Sequence, residues 1–277
     1  MQRVLRDLKE LPQDVSVEID LTNHGGILPE RHERAFQATL FSVTMSQTAI
    51  DSLAFDRRSL KHLDDILAHG RAELMASIST ITSLYCVSEF WVSAGTRIES
   101  DFLDIVRAAR QLRHLTFDIT GPASLYDGPG LGGGYLLLQI PRQVWLAIDF
   151  SSLASLTLRH ILFNTTEEDL SQIMTQCRPT LTHLTLSRIV MLANEDRWKC
   201  IGKVFLTMPG LVFLELHMIR SGEAWEDFTG FWAAPAPIFS VASPPGVRLE
   251  GRANVVKGLK ELSYLGSSFF EQPNGDL

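Results

Sequence analysis

Apolar side chains recur along the chain in a short pattern, apolar-x-x-Leu-x-apolar, whose tail alternates as in a strand with one buried face. The pattern falls at Ile50, Leu53 and Phe55, at Ile81, Leu84 and Cys86, and at Leu112, Leu115 and Phe117. It returns at Leu153, Leu156 and Leu158, at Leu181, Leu184 and Leu186, at Leu211, Leu214 and Leu216, and at Leu259, Leu262 and Tyr264. Successive central leucines stand 31, 31, 41, 28, 30 and 48 residues apart. Four of the six steps therefore share one period, and a period of this size is the mark of a solenoid. Upstream, Val15, Val17, Ile19 and Leu21 alternate with other residues and predict a strand that begins the array. Its poorer match suits a terminal unit, one face of which meets solvent.

Helical spacing fills the intervals. Thr165, Thr166, Glu167 and Glu168 have the spacing of a capping box, and Leu170, Ile173 and Met174 follow at i, i+3, i+4. Trp198, Ile201, Phe205 and Met208 keep one face until Pro209-Gly210 ends the helix. Leu60, Leu63 and Leu67 form a further stripe closed by Gly70, and Phe102, Val106 and Ala109 another. One strand and one helix per unit predict an α/β fold. A lone strand-helix pair cannot bury both apolar faces, so neighbours must stack, with parallel strands on the narrower, concave side and helices on the wider one.

The longer steps predict insertions near 121–150 and 233–258. The first carries "YDGPGLGGGY" and then the apolar "LLLQIPRQVWLAIDF", which predicts a packed segment. The second carries "AAPAPIFSVASPPG", whose four prolines predict a surface loop. The expected organisation is one solenoid over 1–265, with an irregular N-terminal unit over 1–45 and a loose tail over 266–277.

With "LxxLxL" strands each joined to a helix at this period, residues from about 50 to 265 resemble leucine-rich repeat proteins of the ribonuclease-inhibitor-like type. The resemblance implies a horseshoe. It departs from the common repeat where Ile161, Ile189 and Ile219 replace the usual Asn or Cys, which removes an Asn ladder. The run "LASLTLRHILFNTTEEDLSQIMTQCRPTLTHLTLSRIVM", continued by "RWKCIGKVFLTMPGLVFLEL", is similar to the repeat region of filamentous-fungal F-box and leucine-rich repeat proteins. That likeness implies a non-enzymatic protein-recognition module, the substrate-recognition component of an SCF-type ubiquitin ligase, with a ligase adaptor as a second partner. Leu11-Pro12 matches the opening of an F-box, but strand alternation and then His24-Gly25-Gly26 follow it instead of the F-box helices.

Charge and composition narrow the partners. A net charge of -7 argues against nucleic acid and anionic membrane, which need clustered Lys and Arg. Protein partners are expected instead. Cys86, Cys177 and Cys200 are odd in number and widely spaced, which predicts neither a disulfide framework nor a thiolate zinc site. The N-terminus lacks the apolar core of a signal peptide, no apolar run is long enough to span a membrane, and a cytoplasmic or nuclear location is expected. Asn164-Thr165-Thr166 fits a glycosylation sequon, which would need a secretory route.

Motifs for chemistry are few. Gly128, Gly130 and Gly133 have the spacing GxGxxG, with Asp149 further on, and offer the alternative of an enzyme or nucleotide-cofactor binder using 128–134. Tyr126-Asp127 before it and Pro129 within it favour a flexible loop, because a phosphate turn follows a buried strand and opens directly into a helix. His32 to Phe36 starts like a zinc-protease helix but puts Phe36 at the second ligand position. No catalytic, cofactor-binding or metal-ligating residue is assigned, and no cofactor is expected.

Strand alternation does nominate a partner-binding face. Tyr85, His114, Thr116, Asp118, Ser155, Thr157, Arg159, His183, Thr185, Phe213, Glu215 and His217 occupy outward positions. His114, His183 and His217 could in principle meet around a metal, but their differing registers favour exposed polar positions. Phe213 is the most informative, since an outward aromatic ring is covered either by a partner or by a nearby loop such as 233–239. Trp198 and Trp225, on helical stretches, are assigned to packing.

Overall fold

The computed structural model describes residues 17–21, 38–44, 46, 49–56, 63–87, 97–118, 140, 142–163, 168–191, 196–217, 220–221 and 246–265. The chain divides into two units, Met1–Phe117 with Leu146–Asp149, and Asp118–Trp145 with Phe150–Leu277. Both are α/β, with strands and helices alternating along the chain.

In the first unit the strands are β1 (Val17–Leu21), β2 (Ile50–Asp56), β3 (Ser83–Val87) and β4 (His114–Asp118), the last residue of β4 falling to the second unit. They follow one another in sheet order, and β1, β2 and β3 pair in parallel. Leu53 stands opposite Leu84 and Phe55 opposite Cys86, so the central residues of consecutive motifs are neighbours on the same face. Helices α1 (Leu63–Ile78) and α2 (Arg97–Ala108) pack on each other. The stripe of α2 is buried as its spacing predicts, through Phe102, Val106 and the following Ala109. Gly70 breaks α1 as expected, taking the non-helical angles φ -153° and ψ 35°, and a second helical stretch follows it directly to Ile78. A side chain there would stand 3.1 Å from the Thr44 methyl, so the kink lies against the helical stretch 38–44.

The second unit repeats the plan. Strands β5 (Ser155–Phe163), β6 (His183–Met191) and β7 (Phe213–His217) pair in parallel, and a two-residue strand, β8 (Arg220–Ser221), pairs with the far end of β6. Leu156, Leu184 and Leu214 form one row across the sheet and Leu158, Leu186 and Leu216 the next, all buried. Helices α4 (Glu168–Cys177) and α5 (Asp196–Leu206) pack side by side, burying Leu170, Ile173, Met174, Ile201 and Phe205. The capping residues 164–167 lie outside the described residues. The segment read as packed contains α3 (Arg142–Ala147), and its Ile140, Val144, Trp145 and Phe150 are buried.

The last strand motif is corrected. Leu259, Leu262 and Tyr264 lie in a helix, α6 (Arg252–Leu265), and the strand comes earlier, as β9 (Gly246–Glu250), antiparallel to β7. The same correction removes 246–258 from the expected insertion. Val255 and Leu259 are buried at i, i+4, the helical alternative for a short apolar run. Gly258 lets α6 approach β9 closely, for a side chain there would come within 2.5 Å of the Leu249 methyl.

Threonine hydroxyls tie the entries of β3 and β6 to the preceding strand motif. Thr80 Oγ1 donates to the carbonyl of Ile50 and Thr180 Oγ1 to that of Leu153, both at 2.9 Å. Two residues on, Thr82 Oγ1 donates to the Asp51 carboxylate (2.7 Å) and Thr182 Oγ1 to the Ala154 carbonyl (2.9 Å). The sequences behind this are "TIT" and "TLT". At the other end of the strands, Ile161 and Ile189 face each other in register and are fully buried. Thr180→Val, isosteric but unable to donate, is expected to cost about 1 kcal/mol. A urea midpoint that falls at constant slope would report it; an unchanged midpoint would show the tie to be dispensable.

Candidate recognition face

Alternation along β5, β6, β7 and β9 sends one set of side chains into the leucine rows and the other set to the opposite face. Register arranges that second set in three rows. The first holds Ser155, His183, Phe213 and Glu250; the second Thr157, Thr185, Glu215 and Arg248; the third Arg159, Ser187, His217 and Gly246. Adjacent strands lie about 4.8 Å apart, so the members of each row are neighbours on one face.

The structure thus brings Arg159, His183, Thr185, Phe213, Glu215 and His217 together on one unit. Arg159 and His183 are exposed, and Thr185, Phe213, Glu215 and His217 half-buried. Tyr85, His114 and Thr116 belong to the first unit, on β3 and β4, where His114 is exposed and the other two half-buried. The loop 233–239, one expected cover for Phe213, lies outside the described residues. The His183 ring stacks on the Phe213 ring with centroids 5.7 Å apart and planes 25° apart, and the Arg248 guanidinium carbon stands 5.2 Å from the Phe213 centroid. Arg248 also donates from Nε and Nη2 to Glu250 Oε1, at 2.9 and 2.7 Å. Both partners of that pair are about two-thirds exposed, so the bridge orients Arg248 more than it stabilises the fold.

His183 and His217 do not converge, and His114 belongs to the other unit. His183 pairs across the sheet with Phe213 and His217 with Ser187, one to each of two different rows. Each ring is held by a hydroxyl, His183 Nδ1 by Thr182 Oγ1 at 2.8 Å and His217 Nδ1 by Ser187 Oγ at 3.2 Å. Among the described residues no three His, Cys, Asp or Glu side chains are grouped to hold a metal. Burial pushes the Cys86 thiol well up and that of Cys177 up to about 12, so neither offers a thiolate at neutral pH.

Asp118 is the buried member of the set assigned outward. It is 8% exposed, and its carboxylate meets His160 Nδ1 at 3.3 Å and accepts from Arg159 Nη1 at 3.4 Å. Burial pushes its pKa up, but the hydrogen bond and charge of His160, with the charge of Arg159, outweigh that and hold the carboxyl below its usual range. His160 itself, 7% exposed, carries a backbone φ of 59°, the left-handed region that a residue other than glycine enters at a cost of about 1 kcal/mol. Leaving the extended conformation for one residue shifts the alternation, which is why Leu158 and Ile161, three apart, both face the core.

Sequence reasoning did not nominate His160, Arg248 or Glu250. Nothing in "LTLRHILF" marks His160 as left-handed. Arg248 and Glu250 were legible as polar members of "GVRLE", but Pro244-Pro245 beside it favoured a loop. The glycine motif at 128–134, the His32–Phe36 stretch, the sequon, Ile219 and Trp225 lie outside the described residues. Among those described, no helix is long and apolar enough to cross a membrane. The chain matches no protein-family model, and a search of curated proteins finds no relative.

Proposed function

We propose that the chain is a non-enzymatic recognition module, a leucine-rich-repeat solenoid whose strand face holds a protein partner, serving as the target-selecting part of an SCF-type ubiquitin ligase. The observation that carries the recognition reading is the three-row face, where an aromatic ring, two arginines, two histidines and two carboxylates stand in register on adjacent strands. Such a surface offers an extended partner many oriented contacts around one aromatic anchor. The solenoid reading is supported by the aligned leucine rows and by the recurring threonine bonds. The ligase role rests on the sequence likeness alone.

Phe213→Ala and Glu215→Arg are each expected to abolish capture of the partner retained by the wild-type chain in its native cell, with thermal stability nearly unchanged. Mass spectrometry of the captured material is expected to contain a ubiquitin-ligase adaptor. Capture that survives both substitutions would remove this face from the function, and a partner set without adaptors would remove the ligase role.

A further inference from the structure

Glu215 stands at the centre of the face with an opposite charge directly across from it, yet the two do not pair. Its register partner on β9 is Arg248, and side chains at such positions share a face. Arg248 instead turns along its own strand, giving Nε and Nη2 to Glu250 and lying against the Phe213 ring. Across the sheet on the other side stands Thr185, a neutral hydroxyl. Arg159, the other cation of the face, is committed to Asp118. With those two pairs cancelled, one half-buried carboxylate remains without a counter-ion among the described residues, on a chain whose net charge is already -7.

Among the described residues no cation pairs with this carboxylate, and one supplied from outside would form a charge-assisted hydrogen bond with it. We propose that the face binds a basic protein segment, with an arginine or lysine side chain of the partner paired to Glu215 beside Phe213. The inference rests on the recognition reading above and adds the chemistry of what is recognised. Arg248 and His183 already lie against the Phe213 ring, so the partner's cation is assigned to the Glu215 carboxylate and its apolar stem to the ring edge. Glu250, at the rim and nearly two-thirds exposed, adds to the field that draws such a segment in.

The test uses three pools of fluorescent dodecapeptides with randomised flanks and a fixed central residue, Arg, Leu or Glu, titrated against the full chain and followed by anisotropy. The wild type is expected to bind the Arg pool at least ten times more tightly than the Glu pool. Glu215→Gln, equal in size, should lose about tenfold on the Arg pool, and Glu215→Arg should invert the order; matched melting temperatures verify that all variants are folded. Arg-pool binding that Glu215→Gln leaves unchanged would overturn the proposal. Equal binding of the Arg and Leu pools, lost together in Phe213→Ala, would also overturn it while leaving the recognition face intact. If no pool binds, and partner capture survives Phe213→Ala and Glu215→Arg, the recognition reading falls as well.

Discussion

Phe102→Ala is expected to lower the unfolding free energy of the first unit by about 3–5 kcal/mol, the largest stability loss of any substitution considered. Phe102 is fully buried on α2 and meets two other rings edge-on, Phe55 of β2 at 5.8 Å and 69°, and Phe117 of β4 at 6.3 Å and 64°. Alanine would remove the ring's transfer energy, leave a cavity that neighbouring strands cannot collapse to fill, and break both edge-to-face contacts, worth about 0.5–1.5 kcal/mol each beyond area. Hydrogen exchange of the β2 and β4 amides gives the location as well as the size of the effect, because slow amides report the free energy of opening their own unit. Phe102→Leu, which keeps most of the apolar volume, is expected to cost clearly less. Protection in β2 and β4 that stays within 1 kcal/mol of the wild type on Phe102→Ala would mean that this aromatic cluster does not hold the unit together.

The second large effect belongs to Asp118 and depends on pH. Asp118→Asn keeps the size of the side chain but removes the charge that faces His160 and Arg159, with an expected loss of about 1–3 kcal/mol at neutral pH. Arg159 is 45% exposed, so solvent screens its share and holds the loss to that range. A carboxyl whose folded pKa lies below its unfolded value binds fewer protons in the folded state. The stability it contributes is therefore whole above the unfolded value, near 4, and is lost as pH falls through the folded one. Wild type and Asp118→Asn should differ at pH 7 and converge in acid, and denaturant unfolding at a series of pH values reads the difference directly. A gap that persists unchanged to the acid limit would show that the charge of Asp118 is not what stabilises the cluster.

Much of the fold was legible because burial imposes a period. The two-residue alternation of Leu184 and Leu186, and the helical spacing of Leu170, Ile173 and Met174, each name the face that must leave water, and the structure buries all five. The failures occur where one pattern satisfies two periods or where a backbone conformation breaks the period. Leu259 and Leu262 are three apart, a spacing common to the strand motif and to a helix, and α6 is the outcome. The break expected at Gly70 is present, but a second helical stretch follows it at once, which the spacing of Leu60, Leu63 and Leu67 did not show. Asp118 was placed by alternation on the face it shares with Arg159, and what alternation did not show is that His160 and Arg159 of β5 meet its carboxylate and bury it.

The sequence by itself determined the spacing of the strands, which residues face the core and which face away, and hence that Phe213 and Glu215 are candidates for a partner. Only the tertiary structure decided whom those side chains meet. His160 lies 42 residues from Asp118, and Arg248 reaches Phe213 from a strand running the opposite way. Alternation is a local property, set by the extended backbone of a single strand. Pairing across strands depends on register and direction, which are set by the packing of whole elements and leave no local trace in the chain.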